Sequence, residues 1–176
     1  GKIEAMFPDI DVKVPPAPGD EGCALGCAVA SLDKVPDFSQ ILPRAGAAPD
    51  PPDEALAHFT EWLDIEYEDD DELIDTCAAM IAEEHTIVFW FDGRSEFGPR
   101  ALGHRSIIAP ATRGDTVDFI NDVVKGREDF RPLVPAVLAE EAHQWFEGEC
   151  RASPFMSRVW VLTEEAALRV PACAHV

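Results

Sequence analysis

The stretch Gly93-Arg94-Ser95-Glu96-Phe97-Gly98-Pro99-Arg100-Ala101-Leu102-Gly103-His104-Arg105-Ser106-Ile107-Ile108-Ala109 decides how this chain is read. It holds three arginines, a glutamate, a histidine, a proline and three glycines. It follows the apolar, strand-like run Thr86 to Phe91 and leads into another short apolar run. An ordinary surface turn has no use for so many fixed cationic donors beside glycines. The composition is that of an anion-binding loop.

The surroundings sharpen that reading. The chain has 176 residues, 47% of them apolar, which is enough to build a core, and a formal charge of −20 with a pI near 4.4. A surface that acidic repels nucleic acid and anionic lipid, so neither is an expected partner. Yet the window Arg94 to Arg131 carries six arginines and one lysine against six acids, a balance of +1, while the remainder stands at −21. Half of the positive charge is therefore gathered in this window, nearly all of it in two loops that flank apolar runs. One account is that these arginines pair with Glu96, Glu128 and Asp129 as ion pairs that hold the fold. Against it, a charge-assisted hydrogen bond contributes roughly 1.5–3 kcal/mol, whereas a buried arginine left without an anion costs several. Arginines clustered among glycines therefore favour a phosphate-like group between them, which the planar guanidinium grips with two nitrogens at once.

No run of about 18 apolar residues exists. Gly1-Lys2-Ile3-Glu4 is neither a signal peptide nor an initiator methionine, so a cytoplasmic protein is expected, with the chain beginning inside a longer one. Cys23, Cys27, Cys77, Cys150 and Cys173 are odd in number and form no Cys-x-x-Cys pair, which predicts reduced thiols.

In chain order, Asp11-Val12-Lys13-Val14 alternates like a short strand that Pro15 and Pro16 stop. Gly19-Asp20-Glu21-Gly22 then opens a helix of small residues, Cys23 to Leu32, with Asp20 as its expected N-cap. Such a helix either packs tightly on a neighbour or offers its start to a nucleotide or metal. Asp33 to Asp53 is rich in proline and reads as a loop, and Ala55 to Ile65 has helical spacing. The acidic run Glu66 to Glu72 caps an amphipathic helix, Glu72 to Glu84, which leads to the strand Thr86 to Phe91. Beyond the central loop, Asp115 to Val124 has near-helical spacing with Asp115 or Thr116 as its cap. Lys125 to Leu138 is a second cationic segment ending in an apolar strand confined by prolines. Glu140 to Phe146 reads as a short helix, Ser153 to Met156 as a turn, and Val159 to Thr163 as a strand.

Three motifs together carry a family resemblance: Gly93-Arg94-x-Glu96-Phe97-Gly98-Pro99-Arg100-Ala101-Leu102-Gly103-x-Arg105-Ser106-Ile107; Arg127-Glu128-x-Phe130-Arg131-Pro132-x-x-Pro135-x-Val137; and Ser153-Pro154-Phe155-Met156. From about Glu72 onward the chain resembles the C-terminal domain of the O-carbamoyltransferases of nodulation-factor and antibiotic biosynthesis. Pro15 to Ala30 is similar to the end of the preceding actin-like, ATPase-type domain of that family. The resemblance implies an α/β (α+β) fold: a YrdC-like twisted mixed sheet with helices, preceded by a strand-turn-helix remnant of an actin-like (ASKHA) domain, together an incomplete fragment. Residues 1–33 would be the tail of the first domain, 34–70 a linker, and 71–176 the second domain, truncated at its end.

It further implies an ATP-dependent O-carbamoyltransferase that forms a carbamoyl-adenylate from carbamoyl phosphate and ATP, then passes the carbamoyl group to a hydroxyl of a small-molecule acceptor. Arg94, Glu96, Arg100 and Arg105 would be the catalytic set. Gly98, Gly103, Ser106, Lys125, Arg127 and Arg131 would contact the nucleotide and carbamoyl phosphate. Glu96 is expected to orient an arginine rather than act as a base, because cations around a carboxylate lower its pKa. His104 lies where the family pattern varies and is read as a loop filler. Asp20 matches a ligand of the iron or other divalent metal in the actin-like domain. A single carboxylate does not hold such an ion, so occupancy is expected only in the full-length protein, for which a homodimer is open. The alternative function is a non-catalytic acidic interaction module derived from this family, and tRNA threonylcarbamoylation fits the charge poorly.

Overall fold

The computed structural model describes residues 2–12, 14–34, 69–83 and 86–174. The predicted loop Asp33 to Asp53, beyond its first two residues, and the predicted helix Ala55 to Ile65 lie outside them. The chain divides into two compact units, one of Pro16–Ile108 and one of Gly1–Pro15 with Ala109–Val176. Helices and a small antiparallel sheet mix within the chain, which is the expected α/β class.

In the unit Pro16–Ile108, a 3-10 turn Asp20–Gly22 leads into helix α2, Cys23–Ala30, which follows a first helix α1 of the other unit, Lys2–Met6. Asp20 does not cap α2: Gly22 is its N-cap and Gly19 that of the 3-10 turn, neither with a side-chain capping bond, and the Gly19 N–H is taken by the Glu21 carboxylate at 3.0 Å. The small residues of α2 bury nothing among the described residues. Helix α3, Asp70–Glu83, starts as expected from its acidic run. Asp69 accepts the Glu72 N–H at 2.9 Å, and Asp70, Asp71 and Glu72 sit at the positive end of the helix.

Strands β1, Val88–Phe91, and β2, Arg105–Ile108, pair antiparallel, with Trp90 opposite Ser106 and Phe91 opposite Arg105. Side chains alternate along a strand, so Val88 and Trp90 share one face of the sheet. That face meets Ile74, Cys77, Ala78 and Ile81 of α3 across an apolar groove. Phe89 and Phe91 point the other way and are exposed. This small sandwich of helix and hairpin holds both ends of the central loop, residues 92–104.

In the other unit, helix α4, Asp115–Asp118, widens into a π-helical turn, Phe119–Lys125. Neither expected cap acts. Gly114 is the N-cap, and Asp115 instead binds Arg113 through two oxygens. Thr116, Ile120 and Asn121 are buried, as are Ala166, Val170 and Ala172 near the end of the chain. A 3-10 turn, Ala139–Glu141, enters α5, Ala142–Trp145, and Thr163 caps α6, Glu164–Arg169, by accepting the Ala166 N–H at 3.2 Å. A last 3-10 turn, Pro171–Cys173, ties back through the Ala172 N–H to the Ala111 carbonyl at 3.2 Å.

Three predicted strands differ from the structure. Asp11, Val12 and Val14 are not in a strand; the Val12 carbonyl accepts from Arg158 at 3.1 Å. Leu133 to Leu138 is irregular, because Pro132 and Pro135 lack the N–H donors a ladder needs. Val159 to Thr163 reduces to one bridge, Leu162 with Phe146, flanked by Glu147 N–H to Val161 O (2.8 Å) and Thr163 N–H to Trp145 O (2.9 Å). Its partner is the end of a short helix, too brief to extend the pairing.

Candidate anion-binding site

The loop between β1 and β2 is shaped from within by one carboxylate. Glu96 Oε1 accepts the backbone N–H groups of Leu102 (2.6 Å), His104 (2.8 Å) and Arg105 (3.3 Å). Partial burial works to raise the pKa of Glu96. The amides of Leu102, His104, Glu96 itself and Arg105 outweigh it and hold the value at about 2. The expected depression is present, but backbone amides produce it rather than arginines. Glu96 therefore orients the peptide chain, and at neutral pH it has no proton to give.

His104 is more than filler. It is buried, and its Nδ1 meets the Asp92 carbonyl at 2.9 Å, a contact that requires the proton on Nδ1. The Asp92 carboxylate stands 3.5 Å from the same nitrogen, and the Asp92 N–H returns to the His104 carbonyl at 3.0 Å. Arg105 closes the mouth of the loop. Its Nη1 donates to the carbonyls of Asp92 (3.0 Å) and His104 (2.7 Å), its Nη2 to that of Gly93 (2.9 Å), and the guanidinium lies 3.4 Å over the Phe91 ring. Ser106 Oγ accepts the Gly103 N–H at 2.9 Å, which leaves its own proton available.

Gly98 has φ +120°, and a Cβ there would come 2.6 Å from the Pro16 carbonyl oxygen. Its close approach is thus to its own chain. Gly103 borders open space. Arg94 and Arg100 are exposed, and Arg100 has no partner among the described residues.

The second cationic segment belongs to the other unit, and its organiser is a residue that sequence reasoning overlooks. Asn121 is fully buried. Its Nδ2 donates to the carbonyls of Asp129 (3.1 Å) and Arg131 (3.0 Å), and its Oδ1 accepts Arg127 Nε at 2.6 Å. The Asn121 carbonyl also accepts the N–H groups of Gly126 and Arg127. The one sequence signal is an asparagine inside an apolar helical run five residues before a glycine. Arg131 makes an exposed contact of 3.7 Å with Glu128, and Lys125 is exposed without a partner among the described residues. Of the ion pairs expected to hold the fold, only this weak one forms among the described residues. Asp20 stands exposed, and no group of three His, Cys, Asp or Glu side chains comes together among the described residues, so they offer no ligand set for a metal.

Fold and loops define an α/β module with two arginine-bearing segments, one in each unit. The family model described as "Carbamoyltransferase C-terminus" matches residues 78–176, and the chain belongs to the carbamoyltransferase family. It is 38% identical to nodulation protein NolO of Bradyrhizobium diazoefficiens over 187 residues, covering 100% of this chain and 33% of that protein. It is 38% identical to nodulation protein NolNO of Sinorhizobium fredii over 94% of this chain and 25% of that protein. Nodulation protein U of Azorhizobium caulinodans is 36% identical over 78% of this chain and 23% of its own length. The chain thus spans a third or less of these relatives.

Proposed function

We propose that this chain contributes the adenylate-forming site of an ATP-dependent O-carbamoyltransferase, with carbamoyl phosphate and ATP as co-substrates and a small-molecule hydroxyl as acceptor. The observation that carries the reading is Arg100, without a partner among the described residues, on a loop whose central carboxylate, Glu96, is occupied by backbone amides. Among the described residues nothing neutralises Arg100 or Lys125, so both remain available to an anion.

Two polyanions must meet in this reaction, and fixed cations offset their repulsion and stabilise charge that develops as phosphate bonds break. Arg94, Arg100 and Ser106 would serve from the hairpin loop, with Gly98 and Gly103 shaping its backbone. Lys125, Arg127 and Arg131 would serve from the second segment. Arg105, engaged by three carbonyls, acts by holding the loop mouth, and Glu96 acts by folding the loop. Residues 1–33 are proposed as the tail of the actin-like domain and 71–176 as the YrdC-like domain. The metal of the actin-like domain, to which this chain would bring Asp20, belongs to the full-length protein.

The test is carbamoyl-phosphate-dependent ATP–pyrophosphate exchange in the full-length gene product. Arg100→Ala is expected to lower exchange at least tenfold while leaving the melting temperature unchanged, since Arg100 holds no other described residue in place. Undiminished exchange in that variant would remove Arg100 from the site. Capture of a basic protein partner, insensitive to Arg100→Ala and lost at high salt, would favour the non-catalytic acidic module instead.

A further inference from the structure

Resting on the proposed function, in which Arg127 meets an anionic substrate, we propose that Asn121 is the positioning residue of the second cationic segment. It fixes Arg127 by its Nε so that only the two terminal nitrogens face the anion, end-on. Asn121 is fully buried, and every hydrogen-bonding group of its side chain is used: Oδ1 on Arg127 Nε, Nδ2 on the carbonyls of Asp129 and Arg131. One amide therefore fixes the guanidinium and the backbone on its far side together. Neither terminal nitrogen of Arg127 has a partner among the described residues, although Glu128 and Asp129 come directly after it in the chain.

The choice of a neutral holder is the physical point. A carboxylate in place of the amide would also accept from Nε, but it would cancel the charge that the anion needs. It would also turn an acceptor towards two carbonyl oxygens that require a donor. Asparagine orients the cation and leaves its charge intact. The π-helical turn makes this reach possible: its wide closure at Gly126, with φ +54° and ψ +47°, brings the Gly126 and Arg127 N–H groups back onto the Asn121 carbonyl. Backbone and side chain of Asn121 thus grip the same arginine from two sides. π-turns of this kind recur where a helix is adapted to a site.

The experiment is a double-mutant cycle in the full-length gene product, read as KM and kcat of carbamoyl-phosphate-dependent ATP–pyrophosphate exchange. Asn121→Ala and Arg127→Ala are each expected to raise KM for an anionic substrate about tenfold, and the double variant is expected to be no worse than Arg127→Ala, because coupled residues are not additive. Effects that multiply would overturn the proposal, showing that Asn121 supports the fold without acting through Arg127. Should Asn121→Ala fail to fold, Arg127→Lys decides. It keeps the charge, lacks Nε and leaves Asn121 in place, so the proposal expects it to behave like Arg127→Ala, whereas wild-type KM in Arg127→Lys refutes it. If the wild-type protein shows no exchange, the functional reading fails, and the same variants are then read in inorganic pyrophosphate affinity by calorimetry. Non-additive loss of affinity there sustains the positioning role. Additive loss, or no binding by the wild type, ends it.

Discussion

Glu96 is the residue on which the central loop depends, since one oxygen collects three backbone donors. Glu96→Ala leaves those donors without their charged acceptor and should cost about 2 kcal/mol in denaturant unfolding, the scale of a charge-assisted hydrogen bond. Glu96→Gln keeps the oxygen and should cost less, but it changes the response to acid. The folded pKa is lowered from 4.5 to about 2, so the stability that ionisation provides is complete above 4.5 and is lost as pH falls towards 2. The wild type should weaken across that interval more steeply than Glu96→Gln, and parallel slopes for the two proteins would refute the role. Gly98 makes a second demand. At φ +120°, with the Pro16 carbonyl 2.6 Å from any Cβ, Gly98→Ala should destabilise by roughly 2 kcal/mol, a strained-backbone penalty that an unchanged unfolding midpoint would contradict. The sequence marks Glu96 and Gly98 through their setting among arginines, and it marks Arg105 as a cation. That Arg105 turns back on the carbonyls of Asp92, Gly93 and His104 is not legible, because the three acceptors are backbone atoms and carry no sequence signature.

At the scale of elements, legibility tracks periodicity. Helix α3 and strand β1 are readable because one apolar stripe, Ile74, Cys77 and Ile81, repeats at helical spacing and β1 alternates against it. The π-helical turn is not, because Phe119, Ile120 and Val123 suit an α-helix equally well and only the Asn121 to Gly126 closure departs from one. The strand at Val159 to Thr163 fails for the opposite reason: its residues favour strand, but pairing needs a partner of equal length, and Phe146 alone supplies it. Helix α6 offers the direct test of a local cap. Thr163→Ala removes the acceptor of the Ala166 N–H and should cost about 1 kcal/mol, with loss of amide-exchange protection confined to Glu164–Arg169. Protection unchanged along that helix would show that packing of Ala166 and Val170 alone holds it.

For the whole molecule, two surface properties oppose each other. Val159 and Leu168 are each 85% exposed and Phe130 is 80% exposed, apolar surface of the kind that drives association, while a charge of −20 keeps copies apart. The isolated chain should self-associate increasingly as pH is lowered towards its pI near 4.4, read by sedimentation at several concentrations, and a monomer at every pH would show that the apolar surface is too dispersed to matter. The connectivity of the second unit has its own consequence. Arg158, 15% exposed, pairs with Glu4 and donates to the Val12 carbonyl, so segments from both ends of the chain close one folding unit, and the chain of the other unit runs between them in sequence. The family boundary at residue 78 therefore is not a seam in the molecule. A fragment excised there would keep the arginine-bearing loop and lose both acceptors of Arg158, and the residues that look peripheral to the family are the clasp of its unit.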